Sequence, residues 1–298
     1  MPISMRLHST SPQATARPSF TPTPSPFSLV IITSPDLAAP SSRQFDAELG
    51  AVRELFSQAG LRRLHLRKPG ADPAHVAAYL ARLDPEHRRR VVVHGAAVRG
   101  APLARAVAPF VAAGELGGVH YREADRAESA AKGHAFLLDD GEDGDEGRRR
   151  SGVRLLRSSG YHSLEAVVAG GAADCEQQQQ QQEASSAVTE EPWPPAVYLD
   201  YCFLSPVYDS ISKVGYRSAG FLGEEQKGEE QRRSPSPLAA ALARAPLPVL
   251  ALGGVGPGKL RELRAAGFAG AAVLGAVWQA VEGPVEAYRA LAREAEEA

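Results

Sequence analysis

Short apolar runs alternate with longer stretches in which apolar residues recur every three or four positions. Leu29-Val30-Ile31-Ile32-Thr33 opens the series as a strand. From about Ser42 to Ala59, Phe45, Leu49, Val52, Leu55 and Phe56 fall on one helical face, and Gly60 supplies a stop. Leu64-His65-Leu66-Arg67 reads as a second strand and Lys68-Pro69-Gly70 as a turn. Asp72-Pro73 then caps a helix reaching about Leu83. Arg90-Val91-Val92-Val93-His94 is the third strand, a helix started by Pro102 runs to about Ala113, and Gly118-Val119-His120-Tyr121 is the fourth strand.

The spacing loosens beyond this point. A fifth strand is expected near Val153-Arg154-Leu155-Leu156, with Ser163-Leu164-Glu165 opening a short helix. Tyr198 to Leu204 is the sixth strand, Leu238 to Ala243 a helix, and Pro248 to Leu252 the seventh strand. Pro257 to Ala266 is helical, Ala271 to Leu274 the eighth strand, and a last helix starts near Ala276. Three polar insertions interrupt the series at about 139–151, 176–195 and 220–236; the second holds the Gln177–Gln182 run. Eight strand-then-helix units predict a (β/α)8 TIM barrel over 29–298 rather than a doubly wound sheet.

Residues 1–28 differ in kind. They are rich in Ser, Thr and Pro, carry Arg6 and Arg17, and no acid appears before Asp36. That composition predicts an organellar transit peptide, chloroplast before mitochondrion. Over the whole chain of 298 residues, 44% hydrophobic and 23% charged content fit a globular protein. A net charge of −2 gives no electrostatic case for nucleic acid, and no apolar run is long enough to span a membrane. Cys175 and Cys202 alone make neither a disulfide framework nor a cysteine zinc site.

Candidate chemistry gathers where a barrel would place its active site, at the carboxyl ends of the strands. Asp200 to Ser218 runs from a strand into a loop with Ser205, Ser210, Ser212, Lys213 and Arg217. Hydroxyls and cations in such a loop suit an anion. Gly253 and Gly254 end the seventh strand without a Cβ to hold off a ligand. Gly275 and Ala276 open the last helix, whose first N–H groups lack internal partners and favour negative charge.

Several of these segments, in this order, resemble the thiamine phosphate synthase/TenI family. They are His65-Leu66-Arg67-Lys68, Gly118-Val119-His120, Ser159 to Glu165, Asp200 to Ser218, Leu252-Gly253-Gly254-Val255 and Ala272-Val273-Leu274. The resemblance covers about Leu29 to Val281 and leaves out the leader and insertions. It implies a barrel that binds hydroxyethylthiazole phosphate. Synthase members join that thiazole to a pyrimidine pyrophosphate with Mg2+; TenI-type members tautomerise a thiazole carboxylate phosphate.

Residue by residue, the resemblance leans to the tautomerase. Arg67 matches the first residue of a pyrophosphate-holding Arg-x-Lys, but Pro69 stands in the Lys position and Lys68 is displaced by one. His94-Gly95 replaces the Asn-Asp whose carboxylate holds Mg2+, whereas Asp125 matches the second metal-binding Asp. Ser210-Ile211-Ser212-Lys213 matches a Thr-x-Thr-Lys. His162 matches the His that tautomerases use for proton transfer between thiazole carbon and ring nitrogen, a task suited to a group titrating near neutrality. The expected catalytic residues are therefore His162 and Lys213. Arg67, Ser210, Ser212, Gly253, Gly254, Gly275 and Ala276 would bind phosphate or substrate, with His94 and Asp125 as further candidates.

His65 and His120 are expected as strand residues pointing into or near the barrel mouth. The tautomerase needs no cofactor; a synthase would hold Mg2+ on Asp125. A phosphate-binding barrel without catalysis is the third reading. The partner is a small phosphorylated molecule, with homo-oligomerisation left open.

Overall fold

Successive side chains of a strand point to opposite faces, and here each strand divides its residues between two cores. The strands are β1 (Ser28–Ile32), β2 (Leu64–Leu66), β3 (Val91–His94), β4 (Gly118–Tyr121), β5 (Leu156–Tyr161), β6 (Tyr201–Leu204), β7 (Val249–Leu252) and β8 (Gly270–Val273). They pair in chain order, all parallel, and β8 returns to β1, closing the expected (β/α)8 barrel. The computed structural model describes residues 27–96, 101–122, 125, 155–169, 199–209, 211, 217–222 and 236–298. The leader to residue 26, the insertions at 139–151 and 176–195, most of that at 220–236, and Ser210, Ser212 and Lys213 lie outside the described residues.

One set of strand side chains, including Ile31, Leu64, Leu66, Val91, Val93 and Val119, belongs to the outer core beneath the helices. The other set fills the barrel, with Val30, Ile32, Tyr201, Phe203, Leu250 and Ala272 as its apolar members. The register puts polar residues on that same inner face. Ile32 pairs with His65, His65 with Val92, His94 with His120, and His120 with Ser158. The interior thus has an apolar arc from β6 through β8 to β1, and an arc from β2 to β5 that carries the polar residues around Val92.

The helices follow local sequence chemistry. In α1 (Arg43–Ser57) the expected face of Phe45, Leu49, Val52, Leu55 and Phe56 is buried, each side chain adding roughly 1.5–3 kcal/mol. Ser42 Oγ accepts from the Phe45 N–H at 3.2 Å and caps it. In α2 (Pro73–Ala81), Asp72 accepts from the Ala74 N–H at 2.7 Å. Then come α3 (Pro85–Arg88), α4 (Pro102–Ala112), a helical stretch over 164–169, α5 (Pro237–Arg244) and α6 (Leu260–Ala266). Gly267 closes α6 at φ 102°.

The short α3 was not expected, and two further elements differ from expectation. The fifth strand runs Leu156–Tyr161, not Val153 to Leu156, of which 153 and 154 lie outside the described residues. Its centre, Ser158-Ser159-Gly160, is polar because Ser158 meets His120 inside the barrel and Ser159 Oγ donates to Tyr121 O at 2.8 Å. An apolar run is therefore the wrong signal for that strand. The last helix is two, α7 (Gly275–Trp278) and α8 (Pro284–Glu297), because Gly283 at φ 86° and Pro284 reset the backbone.

Candidate active site

At the carboxyl ends of the strands the barrel opens into a cavity of about 830 Å3. Arg67 lines it after β2, His94 and Gly95 at the end of β3, His120 and Arg122 around the end of β4, and His162 after β5. Gly253, Gly254 and Gly275 complete the wall after β7 and β8. Among the described lining residues there is no Asp or Glu, whereas imidazoles and guanidiniums recur. The Arg67 guanidinium in such a wall favours an anion.

His162 follows the last residue of β5, where Tyr161 pairs with Leu204 of β6. Its Nδ1 lies 2.9 Å from Ser205 O. A carbonyl only accepts, so Nδ1 carries the proton and, in the neutral ring, Nε2 keeps its lone pair. The imidazole is exposed and lines the cavity, so a bound ligand can reach this nitrogen.

The cations divide by what they touch. Lys68 Nζ donates to Ser34 O at 2.8 Å, Asp36 O at 3.0 Å and Glu48 Oε2 at 2.7 Å, and its side chain is 1% exposed. Its three N–H groups are thus committed, and it cannot replace the pyrophosphate-holding Lys. Arg67 is instead fixed by its backbone: its N–H donates to Thr33 Oγ1 at 3.0 Å and its carbonyl accepts from that hydroxyl at 3.1 Å. This leaves the guanidinium to the cavity.

Arg122, which the sequence reading did not single out, is a second guanidinium at the mouth. It grips Asp125, with Nη2 2.6 Å from Oδ1, Nε 3.0 Å from Oδ2, and its own N–H 3.0 Å from Oδ2. Both oxygens of the one candidate Mg2+ ligand are therefore taken, and Gly95 offers no second carboxylate. Among the described residues, this set does not fit Mg2+, which relies on carboxylate and phosphate oxygens in near-octahedral order.

The glycines are explained by packing. A Cβ on Gly254, at φ 64°, would lie 2.0 Å from Asp209 O, and one on Gly253, at φ 97°, would lie 2.9 Å from Pro206 Cα. One on Gly275 would meet Ile211 Cγ2 at 3.0 Å. Their absent side chains let the segment after β6 lie against β7 and β8, so their backbones still edge the cavity. Ala276 is half-buried in the single turn α7 and is not part of the wall. That turn is held to β1 by Trp278 Nε1, which donates to Ile32 O at 2.7 Å.

Below the cavity the polar arc forms a histidine cluster. His65 Nδ1 is 2.9 Å from His94 Nε2, and His65 Nε2 is 2.7 Å from Tyr201 Oη. His94 stacks on His120 with ring centroids 3.9 Å apart, and His120 Nδ1 is 2.9 Å from Ser158 Oγ. Burial, reinforced by the neighbouring His120 and Arg63 charges, holds His65 well below the usual histidine range. Burial does the same for His94, with His120, His65 and Arg67 adding to it. His94 and His120 line the cavity, and His65 lies in the interior below them. Tyr201 and Ser158 escaped the sequence reading; the signal for both was strand parity, which puts them on the inner face with the histidines.

The fold and this mouth define a parallel eight-stranded barrel with imidazoles and an arginine lining the cavity at its carboxyl end. No protein-family model and no curated protein matches the sequence. Solved structures share the fold. A thiamine phosphate pyrophosphorylase from Bacteroides thetaiotaomicron superimposes with a TM-score of 0.52 at 20% identity, over 91% of this chain and 98% of that one. One from Pyrococcus furiosus gives a TM-score of 0.52 at 19% identity, over 91% and 96% of the two chains. The chain therefore has a thiamine phosphate synthase/TenI-like fold.

Proposed function

We propose that this barrel is an enzyme acting on a phosphorylated heteroaromatic ring of the hydroxyethylthiazole phosphate kind, and that it tautomerises it. The observation that carries this reading is the His162–Ser205 hydrogen bond, which leaves Nε2 of the neutral ring as a base at the cavity wall. Tautomerisation moves one proton within the substrate. One base that accepts it from carbon and returns it elsewhere on the conjugated system completes the reaction with no net change in composition. Arg67 supplies positive charge for the substrate phosphate, while Arg122 is neutralised by Asp125. Lys213, Ser210 and Ser212 remain candidates for orienting the same anion.

The likeness to two thiamine phosphate pyrophosphorylases favours a second reading, transfer of a pyrimidine from its pyrophosphate to the thiazole nitrogen. Against it stand Gly95 and the Arg122-bound Asp125, which offer Mg2+ no free carboxylate. The test is a pair of assays on the purified chain. One tube contains a thiazole carboxylate phosphate; the other contains thiazole phosphate, pyrimidine pyrophosphate and Mg2+. Turnover in the first, falling about 100-fold or more in His162→Gln, is expected. Thiamine phosphate in the second overturns the tautomerase in favour of the transferase. Ligand binding with no product in either leaves a non-catalytic phosphate-binding barrel.

A further inference from the structure

We propose that His65, His94 and His120 form a binding site for a zinc-type divalent transition-metal ion at the floor of the cavity. The three side chains come from adjacent strands, β2, β3 and β4, on the inner face of the barrel. Each offers one ring nitrogen, and the three nitrogens lie within 4.8 Å of one another. A tetrahedral zinc ion with Zn–N bonds of about 2.0–2.1 Å sets its ligand nitrogens about 3.3 Å apart. The closest pair, His65 Nδ1 and His94 Nε2 at 2.9 Å, must open slightly to exchange the proton they share for an ion, and the His120 ring, stacked on His94, must tilt to bring its nitrogen in.

The surrounding hydrogen bonds point the same way. Metal-binding imidazoles commonly use their second nitrogen to donate to an oxygen, which fixes the ring and its tautomer. His65 Nε2 has Tyr201 Oη at 2.7 Å, and His120 Nδ1 has Ser158 Oγ at 2.9 Å. The Tyr201 contact leaves Nδ1 as the His65 nitrogen for the ion, and His94 and His120 each offer one ring nitrogen beside it. Three imidazoles with no carboxylate suit zinc, cobalt or nickel rather than magnesium or calcium. His94 and His120 line the cavity, so a fourth position opens toward a ligand. Arg67 beside His94 makes an anionic fourth ligand the favoured one: hydroxide, or the carboxylate or phosphate of whatever the cavity binds. The site does not depend on the tautomerase reading, because it is built below His162 from other strands.

The test uses the full chain, stripped by chelator and titrated with Co2+ and then Zn2+. One equivalent of Co2+ per chain, with the visible absorption of a tetrahedral complex that Zn2+ bleaches, is expected. His94→Ala, at the open end of the cluster, should weaken the affinity at least about 100-fold, and Tyr201→Phe about 10-fold or more, with circular dichroism unchanged. Should His94→Ala fail to fold, X-ray absorption on the zinc-loaded wild type decides alone: three imidazole nitrogens are required. No uptake tighter than millimolar, fewer than three imidazoles, or uptake unchanged in folded His94→Ala would overturn the proposal.

Discussion

Lys68 Nζ donates to Glu48 Oε2 across 2.7 Å, while the adjacent Arg67 lines the cavity. Two neighbouring cations therefore do separate work. Lys68→Met leaves the Glu48 carboxylate buried without its cation and should cost about 3–5 kcal/mol. Arg67→Ala should leave stability within about 0.5 kcal/mol and weaken phosphate binding. Urea denaturation and calorimetric titration with inorganic phosphate separate the two effects.

The same pair sets a pH dependence. Burial raises the Glu48 carboxyl above its ordinary value, with Lys68 and Tyr79 pulling it back. A carboxyl whose folded value exceeds the unfolded one binds more protons in the folded state. Its contribution is full below the unfolded value, about 4.3, and is lost as pH rises through the folded value. The stability difference between wild type and Glu48→Gln should therefore fall as pH rises from about 4 toward neutrality. Denaturation midpoints across that range check the sign.

Arg122→Ala should destabilise the fold by about 1–3 kcal/mol, because Asp125, 2% exposed, loses its two-point side-chain partner and, among the described residues, keeps the backbone N–H of position 122. Adding Asp125→Asn should restore part of the loss. A double-mutant cycle on thermal midpoints measures the coupling.

Gly254 and Gly258 separate backbone strain from crowding. Both have positive φ, 64° and 78°, but a Cβ on Gly258 would meet nothing within 4 Å, whereas one on Gly254 would strike Asp209 O. Gly258→Ala should cost only the strain, about 1 kcal/mol, and leave the cavity intact. Gly254→Ala should cost clearly more and also impair ligand binding, because the segment after β6 must move. Thermal melts and phosphate titrations of both variants test this.

Much of the barrel was legible in the sequence. Phe45, Leu49, Val52, Leu55 and Phe56 show the helical period, and Val91-Val92-Val93 shows a strand buried on both faces. Ser158-Ser159-Gly160 carries neither signal, and that strand was misplaced because its inner face is polar. The site was legible only as residue types. That His162 and Arg67 share one cavity followed from strand order. That Lys68 is spoken for depends on Glu48, twenty positions away on α1, and no local pattern reports such a contact. Arg122 was hidden for the same reason, since its partner Asp125 drew attention as a metal ligand.

Trp278 binds the carbonyl of Ile32 from 246 positions further along the chain, and β8 supplies the second neighbour of β1. The barrel's seam therefore joins its earliest strand to its latest. A growing chain that has made seven strands still has two open sheet edges, each a template for unwanted pairing. Closing them requires the longest loop in the molecule, the kind of contact that slows folding. The cavity wall at Gly275 arrives with that closure. Ligand binding thus reports on completion of the seam, and a nascent or clipped chain lacking β8 would have neither the barrel nor the pocket.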